Sequence, residues 1–397
     1  MQKKGETMGR FRFSRRMEQF GDEIFASLNT RRLELEKSGR KIYNLSVGTP
    51  DFPVSQELMD TLSLEAQNPD NWKYALRDTD EMLEAVVSYY RRRFSVSLEK
   101  DMIASCYGSQ DGIGHIALAL CDEGDTVLLP TPCYPVFIAG SKMAMTDIYY
   151  YPMREENGFL PDVDSIPEDV ARRAKYMILS LPSNPMGSVG TPELYQKIIE
   201  FASKYDILII HDNAYSDIIW GGEGRSFLSY PGAMDVGVEF FSLSKSFNLT
   251  GARISFLVGR SDIVKAFRTL RTQIDFGMFL PLQKVAVKAL SSDLDRVKEQ
   301  CELYRERSLA LCDGLNAIGW KTRYSDGSMF VWVKIPESYK GGSFDFVLEL
   351  MERAGVVCTP GSSFGPLGEG YVRFALVLPL ERIREAIARI EECGILG

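Results

Sequence analysis

Between residues 100 and 260 the chain alternates short apolar runs with stretches of helical spacing, and this alternation restricts the fold more than any other feature. The runs are Thr126 to Pro130, Asp147 to Tyr151, Tyr176 to Leu181, Ile207 to Asp212, Val238 to Ser242 and Arg253 to Gly259. Each is too short for a buried helix and several are β-branched, so they are expected to be strands. Residues 110–121 and 192–205 repeat at helical spacing, and Thr191-Pro192-Glu193 offers the second a cap followed by proline in the first turn. Strand and helix in alternation imply an α/β domain with a mostly parallel central sheet and helices on both faces.

Beyond this region the pattern changes. A long charged amphipathic helix is expected over 291–325, then a strand at Phe330 to Ile335, a helix near 343–354, a strand at Tyr371 to Val377 and a closing helix from 380. That order predicts a smaller α+β domain. A helix around 16–38 is expected to pack against it, with Asn44 to Pro53 crossing into the large domain. The expected organisation is an N-terminal segment over 1–45, a large domain over 46–290 and a small C-terminal domain over 291–397, with a cleft between the domains.

Composition narrows the chemistry. Of 397 residues, 46 are Lys or Arg and 54 Asp or Glu, a net charge of −8 that offers no basic stripe to nucleic acid. No apolar run approaches the roughly 18 residues of a membrane span, and the opening Met-Gln-Lys-Lys-Gly-Glu lacks a secretory core, so a cytoplasmic protein is expected. The seven cysteines are an odd number, widely spaced and without a C-x-x-C pair, which favours buried free thiols over disulfides. Two histidines, His115 and His211, cannot build a histidine-rich metal site, and no metal is expected. Difficult chemistry would need another source.

Three motif matches fail on context. Gly361-Ser-Ser-Phe-Gly365 fits G-x-S-x-G, but both histidines precede the serines. Ser242-Leu-Ser-Lys245 fits S-x-x-K, but S-D-N and K-T-G are absent. Gly112-Ile-Gly114-His-Ile-Ala117 fits a loose dinucleotide fingerprint, but it falls inside an expected helix with no acidic residue ending a second strand.

What remains is a constellation at loops following successive strands, the edge where open α/β sheets place ligands. Asp212 ends a strand in Ile209-Ile-His-Asp212-Asn-Ala-Tyr215; alone it reads more readily as a capping aspartate. Lys245 ends another in Phe241-Ser242-Leu-Ser-Lys245, with Arg253 eight residues on. A lysine ending a buried strand is unusual because burial disfavours its charge. Ser183-Asn184-Pro185 marks a turn, and Gly108-Ser109-Gln110 opens a helix whose free N–H groups suit an anion such as phosphate.

With Ser46-Val-Gly48-Thr-Pro-Asp-Phe-Pro53, Pro132-Cys-Tyr134-Pro135 and Tyr371-Val-Arg373-Phe added in order, the chain resembles the fold-type I, class I/II aminotransferases, which depend on pyridoxal 5′-phosphate (PLP). The resemblance covers nearly the whole chain. Asn157-Gly-Phe-Leu-Pro-Asp, Asp212-Asn-Ala-Tyr-Ser and Val238-Glu-Phe-Phe-Ser-Leu-Ser-Lys245 are most similar to the LL-diaminopimelate/alanine aminotransferase-like branch.

The resemblance implies roles. Lys245 would bond the cofactor and carry the proton of the reaction, Asp212 would pair with the ring nitrogen, and Tyr215 with Asn184 would meet the ring's phenolic oxygen. Tyr134 would stack on the ring. Ser109, Gln110, Ser242 and Arg253 would hold the phosphate, joined by Tyr74 from the neighbouring subunit of a homodimer with shared active sites. Arg373, Asn184 and the backbone at Gly48 would take the substrate α-carboxylate. The implied reaction moves an amino group between an amino acid and a 2-oxo acid in two half-reactions.

A PLP-dependent C–S β-lyase resembling cystathionine β-lyase would use the same Lys and Asp, although such enzymes read D-E-I-H where this chain reads Asp212-Asn-Ala-Tyr215. A PLP-binding regulator would need a DNA-binding module, for which the segment before Ser46 is too short and too acidic after residue 17. Met186, Ala252 and Thr79 stand where Thr, Trp and Gly are usual, which leaves substrate choice open. Arg77, near Tyr74, is the local candidate for a distal carboxylate; failing it, backbone dipoles and the helix near Ile24 and Phe25 would set specificity.

Overall fold

The computed structural model describes residues 12–20 and 24–396, the side chains of residues 24–26 excepted. Its strands, in chain order, are β1 Tyr43–Asn44, β2 Ile103–Cys106, β3 Thr126–Thr131, β4 Asp147–Pro152, β5 Ala174–Ser180, β6 Leu208–Asp212, β7 Gly237–Ser242, β8 Ser255–Gly259, β9 Phe330–Lys334, β10 Val356–Val357, β11 Thr359–Pro360 and β12 Tyr371–Ala375. Seven form the central sheet in the order β2-β8-β7-β6-β5-β3-β4. Only β8 runs against its neighbours; the other pairings are parallel.

Every residue of β6, β7 and β8 is buried, because helices cover both faces of the sheet. The period of two divides each strand between two cores. Val127, Leu129, Ile178, Ile210 and Phe240 enter one face, beneath the helices Ser109–Leu120, Pro135–Met143 and Ser261–Arg271. Leu128, Met177, Leu179, Ile209 and Phe241 enter the other, with residues of the helices Asp80–Phe94, Pro192–Tyr205 and Leu280–Ser291.

A third core lies under the antiparallel sheet β11-β12-β9 and the helices Asp295–Ala317, Ser343–Ala354 and Leu380–Glu392. The segment after the helix Ile24–Lys37 joins it: β1 pairs in parallel with β10, and Leu45 bonds to Val357 on one side and Ala375 on the other. Arg31 on that helix pairs with Glu352 at 2.8 Å. Asp51, in the crossing segment, meets Arg307 with two bonds of 2.6 and 2.9 Å. The expected helix over 291–325 is shorter. Ser292 is extended, the helix starts at Asp295, and it ends before Gly319, whose φ of +86° no continuing helix accepts. Charge patterning extends through both ends and hides them. Among the described residues no helix is long and apolar enough to cross a membrane.

Candidate active site

The carboxyl ends of β5, β6 and β7 deliver their loops to one place. After β7 the chain makes a single helical turn, Leu243–Ser246, capped by the Ser242 hydroxyl, which accepts from Ser244 N–H at 3.1 Å. Lys245 projects from this turn and its Nζ donates to the Gly48 carbonyl at 2.6 Å. The turn is pinned from both sides. Gln300 donates to the Lys245 carbonyl at 2.9 Å, and Ser246 Oγ donates to Asp217 at 2.5 Å, itself held by Arg93 at 3.1 Å. Burial, then the nearby charges of Arg373 and Arg253, brings the Lys245 amine down to about 8. A lysine so placed has a substantial nucleophilic fraction near neutral pH.

Asp212 is the last residue of β6 and is 5% exposed. Its Oδ1 is buried without a partner, and burial pushes its carboxyl up to about 6. A lone buried carboxylate is costly unless a donor or cation meets it. Three residues on, the buried Tyr215 hydroxyl accepts from Asn184 Nδ2 at 3.5 Å, and Asn184 Oδ1 accepts from Arg373 Nη1 at 2.8 Å.

Arg373 lies on β12, opposite Thr359 of β11 and Trp332 of β9. Its guanidinium sits 4.1 Å from the centre of the Phe330 ring and 4.8 Å from that of Phe364. Nη2 donates to the Ser46 carbonyl at 2.6 Å and to Thr359 Oγ1 at 3.2 Å, while Nε is buried without a partner. These partners are neutral, so burial works against the charge with no carboxylate to offset it. A buried fork within cation–π distance of two rings, its hydrogen-bond partners neutral, suits a substrate carboxylate.

At the other end, Gly108 opens the helix Ser109–Leu120 with φ +86°. A Cβ there would lie 2.1 Å from Arg253 Nη2, so only glycine lets the guanidinium approach the helix N-terminus. Arg253 donates to the Thr250 carbonyl at 3.0 Å, and Ser109 Oγ is buried without a partner. Gln110 accepts from the Tyr134 hydroxyl at 3.1 Å. The charges of Asp212, Arg373 and Arg253 all act on Tyr134, whose hydroxyl burial pushes up, so its ring belongs to this group.

Of the residues expected from sequence, Lys245, Asp212, Tyr215, Asn184, Arg373, Gly48, Tyr134, Gln110, Ser109, Arg253 and Ser242 gather here. Tyr74 does not: it is 78% exposed, its ring against Phe276 at 5.0 Å. Arg77 is exposed on the same loop, and the side chains of Ile24 and Phe25 lie outside the described residues. Sequence reasoning missed Phe330, Phe364, Thr359 and the Ser46 carbonyl around Arg373. None has a local signal, since strand register and a crossing segment bring them together. It also missed the cap at Thr79, which accepts from Met82 N–H at 3.4 Å while its own N–H bonds Gln283, so this departure from glycine serves the helix Asp80–Phe94.

The family model for aminotransferase class I and II matches residues 40–390. LL-diaminopimelate aminotransferase of Aquifex aeolicus is 40% identical, covering 96% of this chain and 99% of that protein, and the enzyme of the same name from Syntrophobacter fumaroxidans is 40% identical over 93% and 95%. Among solved structures, substrate-bound BacF from Bacillus subtilis superposes with a TM-score of 0.93 at 32% identity, covering 97% of this chain and 98% of that one. A probable N-succinyldiaminopimelate aminotransferase from Thermus thermophilus does so at 0.89 and 33%, over 94% and 100%. These likenesses favour transamination over C–S cleavage. With the fold, the lysine turn and the arginine fork, they place the chain: it belongs to the class I and II aminotransferases.

Proposed function

We propose that this aminotransferase holds PLP between Asp212 and the Gly108–Gln110 turn and acts on a diamino dicarboxylic acid of the LL-diaminopimelate type. One observation carries the reading. Two oppositely charged side chains, Asp212 and Arg373, are buried around Lys245, and among the described residues neither forms a direct ion pair. The residues fit the cofactor: Asp212 Oδ1 lacks a partner where a protonated ring nitrogen would donate, and Ser109 Oγ and Arg253 flank a glycine cradle where a phosphate would accept. PLP bound there supplies the electron sink that stabilises charge at the substrate α-carbon.

The chain's own residues do the rest. Lys245, partly neutral, provides the nucleophilic amine and afterwards moves the proton to and from the α-carbon, with the Gly48 carbonyl orienting Nζ in the resting position. Asp212 would hold a proton on the ring nitrogen. Tyr215 and Asn184 would offer two polar groups to the ring's phenolic oxygen, and Tyr134 would cover its face. Arg373 binds the α-carboxylate through its fork, while Phe330 and Phe364 keep water off the pair.

Tyr74 with Trp72, Leu76 and Phe276 forms an exposed apolar group, which supports a homodimer in which Tyr74 reaches the neighbouring phosphate site. The seven free cysteines support a reducing compartment such as the cytoplasm. The substrate class rests on the names of relatives about 40% identical. The test is a panel of amino acids offered to the PLP-loaded protein with 2-oxoglutarate, the oxo product being identified by mass spectrometry. The reading expects glutamate from LL-diaminopimelate at a higher kcat/KM than from alanine or aspartate. Turnover of the small amino acids with none of diaminopimelate would overturn the substrate assignment.

A further inference from the structure

On the far side of the sheet from Asp212 lies a group of buried ionisable side chains that the reaction does not touch. His211 and Asp212 are successive residues of β6, so their side chains leave on opposite faces. Asp212 faces the site. His211 and its register partner on β7, Glu239, are both 0% exposed.

Their hydrogen bonds form a closed set. His211 Nδ1 lies 3.0 Å from Glu239 Oε2, and Nε2 lies 3.0 Å from the Leu181 carbonyl oxygen. Glu239 Oε1 accepts from the Tyr90 hydroxyl at 2.8 Å, and Oε2 also accepts from Phe227 N–H at 2.7 Å. Rings close the space, Tyr195 edge-on at 5.9 Å and Phe227 at 5.8 Å. The titratable groups around the imidazole are thus Glu239, Tyr90 from the helix Asp80–Phe94, Tyr195 from the helix Pro192–Tyr205, and Asp212 on its own strand. Asp217, paired with Arg93, stands beyond Tyr90.

Counting donors bears on the charge. A carbonyl oxygen can only accept, so Nε2 carries a proton. Glu239 accepts the Tyr90 hydroxyl on one oxygen and the Phe227 N–H on the other, an environment that favours the ionised form. An ionised Glu239 calls for a proton on Nδ1 as well, which would make the ring an imidazolium one residue from Asp212.

We propose that His211 is a positioning residue whose positive charge, locked by Glu239 and the Leu181 carbonyl, keeps the Asp212 carboxylate ionised inside a site that burial would otherwise neutralise. The role of that carboxylate rests on the proposed cofactor site; the charge of His211 does not. Burial is the largest influence raising the Asp212 carboxyl and His211 the largest opposing it, with the smaller influence of Glu239 cancelling only part. A neutral Asp212 could not hold a proton on a ring nitrogen. From behind the sheet the pair adds to what the Ala214 N–H and the Lys245 amine do for the carboxylate from within the site.

The chain holds only two histidines, so His115→Gln leaves a single imidazole to observe. In the full-length His115→Gln protein labelled with 15N-histidine, with and without PLP, both ring nitrogens of His211 are expected to carry directly bonded protons at neutral pH. A bare Nδ1 accepting from a protonated Glu239 would overturn the proposal. Independently, His211→Gln is expected to show the infrared carbonyl band of a protonated carboxyl at neutral pH before PLP is added. The band should be absent from the unmodified protein and lost again in His211→Gln/Asp212→Asn. A folded His211→Gln protein without that band also overturns it, and if the variant does not fold, the nitrogen spectrum decides. An imidazolium in a chain that fails to bind PLP would sink the cofactor site and leave the charge assignment standing.

Discussion

Gly108→Ala separates the cost of a strained backbone from the cost of a displaced cation. Alanine at φ +86° pays about 1–2 kcal/mol whether or not PLP is present, so this part appears as lost fold stability. The new Cβ would meet Arg253 Nη2 at 2.1 Å, whereas ordinary contact begins near 3.4 Å, so the guanidinium must retreat by about 1.3 Å. That retreat breaks a charge-assisted hydrogen bond to phosphate worth about 1.5–3 kcal/mol, or roughly 10- to 150-fold in PLP affinity. Absorbance titration of the cofactor-free protein with PLP reads the second cost, and thermal melting without PLP reads the first. Gly114→Ala is the control on the same helix. Its Cβ would have only Met143 at 3.6 Å and Val136 at 3.9 Å, so it should leave PLP affinity unchanged and stabilise the helix by about 0.5–1 kcal/mol. Equal PLP affinity in Gly108→Ala and the unmodified protein would refute the phosphate site.

Four further outcomes are expected. The rate at which cofactor-free protein bonds PLP should rise with pH through about 8 and then level, because the neutral Lys245 amine is the nucleophile and its value is lowered from 10.5; a rate still climbing past pH 10 would contradict this. The same shift adds stability as pH rises between about 8 and 10.5, since only the unfolded lysine still holds its proton there. Asp212→Asn should bind PLP yet lose at least about 100-fold in kcat, about 2.7 kcal/mol of barrier, and a loss under about tenfold would remove Asp212 from its role. Arg77→Ala should raise KM for 2-oxoglutarate by about tenfold while sparing pyruvate if the neighbouring subunit delivers it to the site, and equal effects on both would return it to the surface.

Much of this site was legible in the sequence because fully buried strands print their limits. The run Ile207 to Asp212 is apolar until its last two residues, and β6 ends where the polar loop begins. The helix Pro192–Tyr205 starts at its cap, Thr191 accepting from Leu194 N–H. Direction was not legible: β8 is buried on both faces just as the mutually parallel β6 and β7 are, so nothing in Arg253 to Gly259 marks it as antiparallel. Pairing was not legible either. The acid inside Val238-Glu-Phe-Phe and the histidine before Asp212 are each visible, but only the register of β6 against β7 makes them one unit. The shell of Arg373 fails for a related reason, as it comes from Ser46, Thr359, Phe330 and Phe364, segments joined by tertiary packing alone.

The central claim is that Lys245 is the lysine that bonds PLP, and borohydride reduction of the loaded protein tests it most directly. Reduction makes the bond permanent, and peptide mass spectrometry then locates the pyridoxyl group. The account predicts one stoichiometric label, on Lys245, and none in Lys245→Ala. A label on any other lysine, or an unlabelled Lys245 in a protein that retains PLP, would contradict it.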